Sequence, residues 1–176
     1  MDAFRLTGIS DAFAEAIETY RAEFHTGGMR VTHTPDRIPG LDGLEDFESA
    51  SDWIEYTRSM AGKIGWYLSV REGDNRIIGA IVLRHRLEYD DDDIDFASHI
   101  GYSIHPAERN KGYAKAQLGL ALLEAKKLGL DSVRIVCRDT NTASRRTILA
   151  NGGEYVDSIY GEESCMTIER YDIRLS

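Results

Sequence analysis

The sequence predicts a mixed α/β domain with a mostly antiparallel central sheet and helices on both faces. Three observations predict it. Apolar spacing passes from a period of about 3.6 residues to strict alternation and back again. Several alternating runs are joined by short Gly/Asp/Asn turns, as hairpins are. A glycine-bearing turn lies between a strand pattern and an amphipathic helix at residues 109–114. The 176 residues suit one domain, 1–176, able to bury a substantial core, with its motif-bearing region at 65–174.

The elements follow in order. Ser10 is placed to cap a helix whose Phe13, Ile17, Tyr20 and Phe24 share one face. Residues 26–43 are rich in glycine and proline and predict a long surface loop, a feature that often covers a substrate site. A second helix starts near Ser51 and packs Trp53, Tyr56 and Met60. Trp66, Leu68 and Val70 alternate as a strand, and the turn at 72–75 joins it to a second strand over 76–86. A third strand spans 96–104, with Phe96, Ser98, Ile100, Tyr102 and Ile104 on one face. The next helix carries a stripe of Ala114, Leu118, Ala121, Leu122, Ala125 and Leu128, and Gly129 ends it. A strand at 132–138 follows, then a helix from Thr142 to Ala150 with Asn141 at its cap. Strands at 154–160 and 165–175 close the chain. The strand–helix–strand passage around 109–114 implies a right-handed crossover and a locally parallel pair.

Composition narrows the function. Hydrophobic residues are 42% and charged residues 29%, an ordinary globular balance. No apolar run is long enough to span a bilayer, and residues 1–5 show no basic-then-apolar leader, so a cytoplasmic protein is expected. Cys137 and Cys165 both lie in apolar strand patterns and read as buried free thiols. The five histidines show no metal-ligand spacing, so no metal is expected. The net charge of −9 argues against nucleic acid or an anionic membrane as partner. Glu88, Asp90, Asp91, Asp92, Asp93 and Asp95 form an acidic run, read either as a solvated loop or as a rim that attracts a cationic amine.

The turn Arg109-Asn110-Lys111-Gly112-Tyr113-Ala114 carries the chemistry. The first backbone N–H groups of a helix have no intrahelical partner and sit at its positive end, so they hold phosphate. Gly112 lets a ligand approach the main chain, and Arg109 brings a fork of donors suited to phosphate. No P-loop and no dinucleotide-binding Gly-x-Gly-x-x-Gly are present.

These residues resemble the signature of the GNAT (Gcn5-related) N-acetyltransferase superfamily. Asn141-Thr142-Ala143-Ser144 and the later Asn151-Gly152-Gly153 are similar to its second motif. The segments 38–45, 84–86 and 99–102 resemble one branch of acetyltransferases with no assigned substrate. The resemblance implies strands that splay to admit acetyl-CoA. Its diphosphate would lie on Asn110, Lys111, Gly112, Tyr113 and Ala114, with Arg109 nearby. Its pantetheine arm would run along the main chain of Tyr102, Ser103 and Ile104, with Asn141 and Ser144 contacting or bracing it. It further implies direct acetyl transfer to a primary amine of a small molecule or peptide. Homodimers are common among such proteins. A protonated alkyl amine, pKa about 10.4, cannot attack, so a base is needed. His99 is the first candidate for it, with His85 and Asp95 as alternatives. The tyrosine that many relatives carry seven residues after the Asn141 position is Ile148 here, so Tyr160, Tyr102 or water would protonate the leaving thiolate. The alternative reading is a non-catalytic acyl-CoA sensor of the same fold, which the missing tyrosine favours. An enzyme acting on aminoacyl-tRNA fits the acidic charge less well.

Overall fold

The computed structural model describes residues 1–26, 37–89, 97–162 and 165–175. Among them are β1 (Phe4–Gly8), α1 (Ala14–Thr26), α2 (Ala50–Ser59), β2 (Ile64–Arg71), β3 (Ile77–Arg84) and β4 (Ile100–Ile104). There follow α3 (Tyr113–Lys127), β5 (Ser132–Arg138), α4 (Thr142–Leu149), β6 (Glu154–Gly161) and β7 (Met166–Arg174). The strands form two sheets, ordered β1-β2-β3-β4 and β5-β7-β6, and every ladder is antiparallel.

Each sheet-facing surface has its own core. On one face, Ile17, Tyr20 and Phe24 of α1 and Trp53 and Ile54 of α2 bury themselves against Trp66, Leu68, Val70 and Val82. On the other, Leu118, Ala121 and Ala125 of α3 and Ile148 of α4 pack on Ile81, Leu83, Val133 and Ile135. A fully buried side chain of this size contributes about 1.5–3 kcal/mol, so these two layers hold the fold. β3 is buried along its whole length because both layers rest on it.

The helix and strand periods place most elements where the sequence puts them, and the differences have local causes. β1 is an additional strand, and its Phe4 and Leu6 alternate over too short a run to stand out. Ser10 precedes a 3-10 turn at Asp11–Phe13 and its hydroxyl caps nothing. Ser49 is the working cap of α2, accepting from the Asp52 N–H. The third predicted strand begins later, at Ile100, and its expected parallel partner forms no ladder. Leu128 is 46% exposed, and the buried stripe of α3 is Tyr113, Gln117, Leu118, Ala121 and Ala125. Gln117 is fully buried and satisfied. Its Nε2 donates to Ala80 O at 2.7 Å, and its Oε1 accepts from Ser69 Oγ at 2.8 Å. It therefore bolts α3 to β2 and β3. Cys137 is buried as expected, but Cys165 is exposed at a positive φ of 52° just before β7.

Residues 37–47 are no surface loop. Ile38, Leu41 and Leu44 are buried, and Gly40 and Gly43 take φ of 96° and 86° to press the segment onto the sheet. Residues 27–36, and the acidic run apart from Glu88, lie outside the described residues.

Candidate active site

The site begins where the two sheets part. His99 N–H donates to Arg134 O at 2.8 Å, and Arg134 N–H donates to His99 Nδ1 at 2.9 Å. Beyond this contact β4 and β5 form no ladder. Arg84 N–H donates to His99 O, and His105 N–H donates to Ile78 O. Antiparallel bonding alternates, so the odd positions of β4 are the ones that exchange bonds with β3. The N–H and C=O groups of Tyr102 and Ile104 therefore face β5 across the split. An extended chain entering there would bond to β4 as an added strand does.

The turn after β4 leads to the phosphate-binding candidate. A 3-10 turn at Pro106–Glu108 opens on His105, whose Nδ1 accepts from the Ala107 N–H. Asn110 then takes φ 61° and Gly112 φ 87°, and α3 starts at Tyr113. A side chain built on Gly112 would meet only Met1 Sδ, 3.8 Å from its Cβ, so the space in front of this helix end is open. The residues thus fit a diphosphate at the helix N-terminus and an extended arm along β4.

The cradle is braced from below by a residue that sequence reasoning missed. Glu108 is 5% exposed and receives Arg71 Nη1 at 3.0 Å and Lys111 Nζ at 2.9 Å. Burial pushes its carboxyl upward, but the bonds from Lys111 and Arg71 outweigh burial and the net shift is downward. Its spacing to Lys111, i to i+3, was the available signal. We expect Glu108→Gln to lower stability by about 1–3 kcal/mol and to weaken acetyl-CoA binding. A carboxyl whose folded pKa lies below its unfolded value stabilises above the unfolded value and stops doing so as pH falls through the folded one. The stability gap between wild type and variant, measured by thermal unfolding, should therefore close under acid. A gap independent of pH would mean that the charge is not what braces the turn.

Several of the expected site residues make other contacts. Arg109 Nε donates to Ile104 O at 3.2 Å and its guanidinium lies over the Phe24 ring at 5.7 Å, so it fastens the end of β4 to α1. Ser103 bonds through its main chain toward β3, not toward the split, and its side chain is buried beside α1. Asn141 Oδ1 accepts from the Ser144 N–H, which makes it the cap of α4. Ser144 Oγ meets Tyr102 Oη at 2.9 Å, so the Tyr102 side chain reaches from β4 to the first turn of α4. Burial pushes the Tyr102 hydroxyl up to about 12, against the opposing bond from Ser144. Ile148 is fully buried in the core and brings no polar group to this region.

His99 does not suit the role of base. Its Nδ1 lone pair accepts from the Arg134 N–H, so the neutral ring carries its proton on Nε2 and offers no lone pair elsewhere. Burial, reinforced by Arg134, also pushes its pKa down. Its work is to pin the two sheets together. His85 has the opposite tautomer: Nδ1 donates to Gly62 O at 2.8 Å, which leaves Nε2 as an acceptor. Tyr160 is 60% exposed on β6, and β7 stands between β6 and β5, so the structure does not bring it to the split. Asp95 lies outside the described residues. No cluster of metal-ligating side chains occurs among the described residues. No helix among them is long and apolar enough to cross a membrane.

Comparison with known proteins bears on this geometry. The acetyltransferase (GNAT) domain family matches residues 14–154. Among solved structures, yncA of Salmonella typhimurium with acetyl-CoA superposes with a TM-score of 0.69 at 14% identity, covering 99% of this chain and 95% of its own. RimL, a ribosomal-protein α-N-acetyltransferase in complex with coenzyme A, gives 0.73 at 14% identity over 100% and 97%. A chimeric spermidine N-acetyltransferase, SpeG, from Vibrio cholerae gives 0.69 at 13% identity over 98% and 95%. No curated protein sequence matches this chain significantly.

Proposed function

This chain belongs to the GNAT acetyltransferase family, and from that premise we propose that it transfers the acetyl group of acetyl-CoA to a primary amine by direct attack. The observation that carries the reading is the alignment of two features. The main chain of Tyr102 and Ile104 faces the split between the sheets, and the open N-terminus of α3 stands past the end of the same strand. One ligand with an amide-bearing arm and a diphosphate matches both, with the arm on β4 and the diphosphate on Asn110 to Ala114. Bound there, acetyl-CoA supplies the activated thioester. Small amines and ribosomal-protein N-termini, the acceptors of the structural neighbours, are the acceptor classes the reading favours.

Tyr102 takes the place of the absent α4 tyrosine. Its hydroxyl arrives at the first turn of α4 from the opposite wall, held by Ser144. Burial raises its pKa, so it stays protonated at neutral pH and can donate a hydrogen bond to the thiolate as it leaves. Replacing Tyr102 with Phe should lower kcat by about 10–100-fold while leaving the Michaelis constant for acetyl-CoA within a factor of about three, since the main chain of position 102 is kept. An unchanged kcat would assign the proton to water.

The acyl-CoA sensor remains the second reading, because His99 has no spare lone pair and Ile148 replaces the usual acid. Thermal unfolding with saturating acetyl-CoA, followed by turnover on a panel of primary amines, separates the two. Ligand at a hundred times its Kd should add about 2.7 kcal/mol, and at about 2–4 °C per kcal/mol for a chain of this size the melting temperature rises by several degrees. A shift with turnover supports the enzyme, a shift without it the sensor. No shift removes the donor site. A thiol-detecting turnover assay requires a Cys165→Ser background, because Cys165 is exposed.

A further inference from the structure

Three segments distant in sequence meet at one point beside the split. Asp42 lies in the segment between α1 and α2, Arg84 ends β3, and Gly101 is in the middle of β4. Arg84 Nη2 donates to Asp42 Oδ2 at 2.5 Å, and Arg84 Nη1 donates to Ser98 O at 3.2 Å. A Cβ placed on Gly101 would stand 3.6 Å from Asp42 Oδ2 and 3.8 Å from Arg84 Nη1. The pair therefore sits directly over Gly101, on the α1/α2 face of β4. The next residue, Tyr102, directs its main chain into the split and its side chain to the opposite face.

Asp42 is fixed there with unusual care. Gly40 presses so closely on β3 that a methyl group would stand 2.4 Å from Ala80 O. Trp53 Nε1 donates to Asp42 O at 3.2 Å, and Arg37 Nε reaches Asp42 Oδ1 at 3.4 Å. The Arg84 side chain is 6% exposed and that of Asp42 15%. A buried ion pair is a weak source of stability, since desolvation offsets most of its attraction. Two guanidinium bonds also leave part of the acceptor capacity of the Asp42 carboxylate unused. Nearby, Glu45 has a buried Oε2 with no hydrogen-bond partner, while its Oε1 lies 3.9 Å from Arg37 Nε.

We propose that Asp42 is a positioning residue: its carboxylate receives the ammonium of the acceptor over Gly101, and the nitrogen, after giving one proton to water, attacks the acetyl group from that side of β4 as the neutral amine. Gly101 lacks a side chain because one would fill the approach. The inference rests on the acetyl-transfer reading above and adds to it a specific anchor and a class of ligand, a primary ammonium that presents little bulk beside the nitrogen.

The test uses the full-length protein and a probe panel of propylamine, spermidine and an alanyl peptide with a free N-terminus. Gly101→Ala is the leading variant, because its closest contact, Val82 Cγ1 at 3.3 Å, is a side-chain atom and not main chain. It should raise the amine Michaelis constant about tenfold or more while leaving the acetyl-CoA thermal shift intact. Asp42→Asn should do the same, and Asp46→Asn, at an exposed neighbour, should leave both the amine Michaelis constant and the acetyl-CoA shift unchanged. Should Asp42→Asn fail to fold because Arg84 loses the Asp42 carboxylate, the double variant Asp42→Asn/Arg84→Gln removes both charges. An Asp42 variant that lowers only the melting temperature, together with unchanged amine kinetics in Gly101→Ala, makes the pair a structural clamp and overturns the proposal. A wild type that binds acetyl-CoA yet acetylates none of the probes overturns it too. Failure to bind acetyl-CoA strikes instead at the donor reading.

Discussion

Gly112→Glu should abolish the acetyl-CoA thermal shift and raise the Michaelis constant for acetyl-CoA at least about a hundredfold, while leaving the fold in place. The two halves of this expectation have separate physical grounds. Gly112 takes φ 87°, so any side chain there incurs backbone strain of about 1–3 kcal/mol. A carboxylate at the start of α3 recovers about 0.3–1 kcal/mol from the positive helix end, and nothing but Met1 Sδ stands near the new Cβ. The net change is therefore a loss of between about zero and 3 kcal/mol. Binding suffers more, because a unit negative charge is set where a diphosphate would lie. At an effective dielectric constant near 20, two like charges about 4 Å apart repel by about 4 kcal/mol, ample for a hundredfold loss. Calorimetric titration and thermal unfolding read the two halves independently. A full shift in the variant would move the diphosphate off this turn.

Gly40→Ala should be among the most damaging methyl additions at the described glycines. Its Cβ would meet Ala80 O at 2.4 Å, Ala80 C at 2.5 Å and Ile81 N at 2.8 Å, all of them main-chain atoms of the central strand β3. A flexible side chain could step aside, whereas β3 is fixed by ladders on both edges. Overpacking costs about 1–3 kcal/mol, and strain at φ 96° adds about 1–2 kcal/mol. We expect a loss of about 2–5 kcal/mol, a fall of roughly 4–20 °C in the melting temperature at about 2–4 °C per kcal/mol. Because the same contact seats residues 38–45, amine kinetics should deteriorate before the protein unfolds. A melting temperature within about two degrees of wild type would show that the segment is free to lift.

Periodicity and short-range chemistry account for what the sequence made legible. β5 and α4 start at the residues expected because alternation and an Asn cap are local signals. The turn at Gly112 and the helix after it were legible for the same reason, since they are contiguous. What escaped depends on distant pairing. Nothing in the run around Gln117 reveals that Ser69 and Ala80 wait for its amide. Arg109 looked like a phosphate ligand because its fork suits phosphate, but the end of β4 claims its Nε. His99 looked like a base because of its intrinsic pKa, until the Arg134 amide was found to use its lone pair. Asp42 and Arg84 each stood in a conspicuous segment, and only the fold joins them.

The single junction at His99 and Arg134 has a consequence for how the molecule breathes. Among the described residues, the two half-sheets share one main-chain hydrogen bond, and side-chain packing and bonds such as Tyr102–Ser144 otherwise keep them aligned. The outward amide hydrogens of β4 should thus exchange rapidly with deuterium, although that strand lies at the heart of the protein. An acetyl-CoA arm bonded along Tyr102 and Ile104 would act as a temporary strand between the halves, and exchange there should slow with the nucleotide present. The reactant would complete the architecture for the length of each cycle, and its departure as CoA would loosen it again.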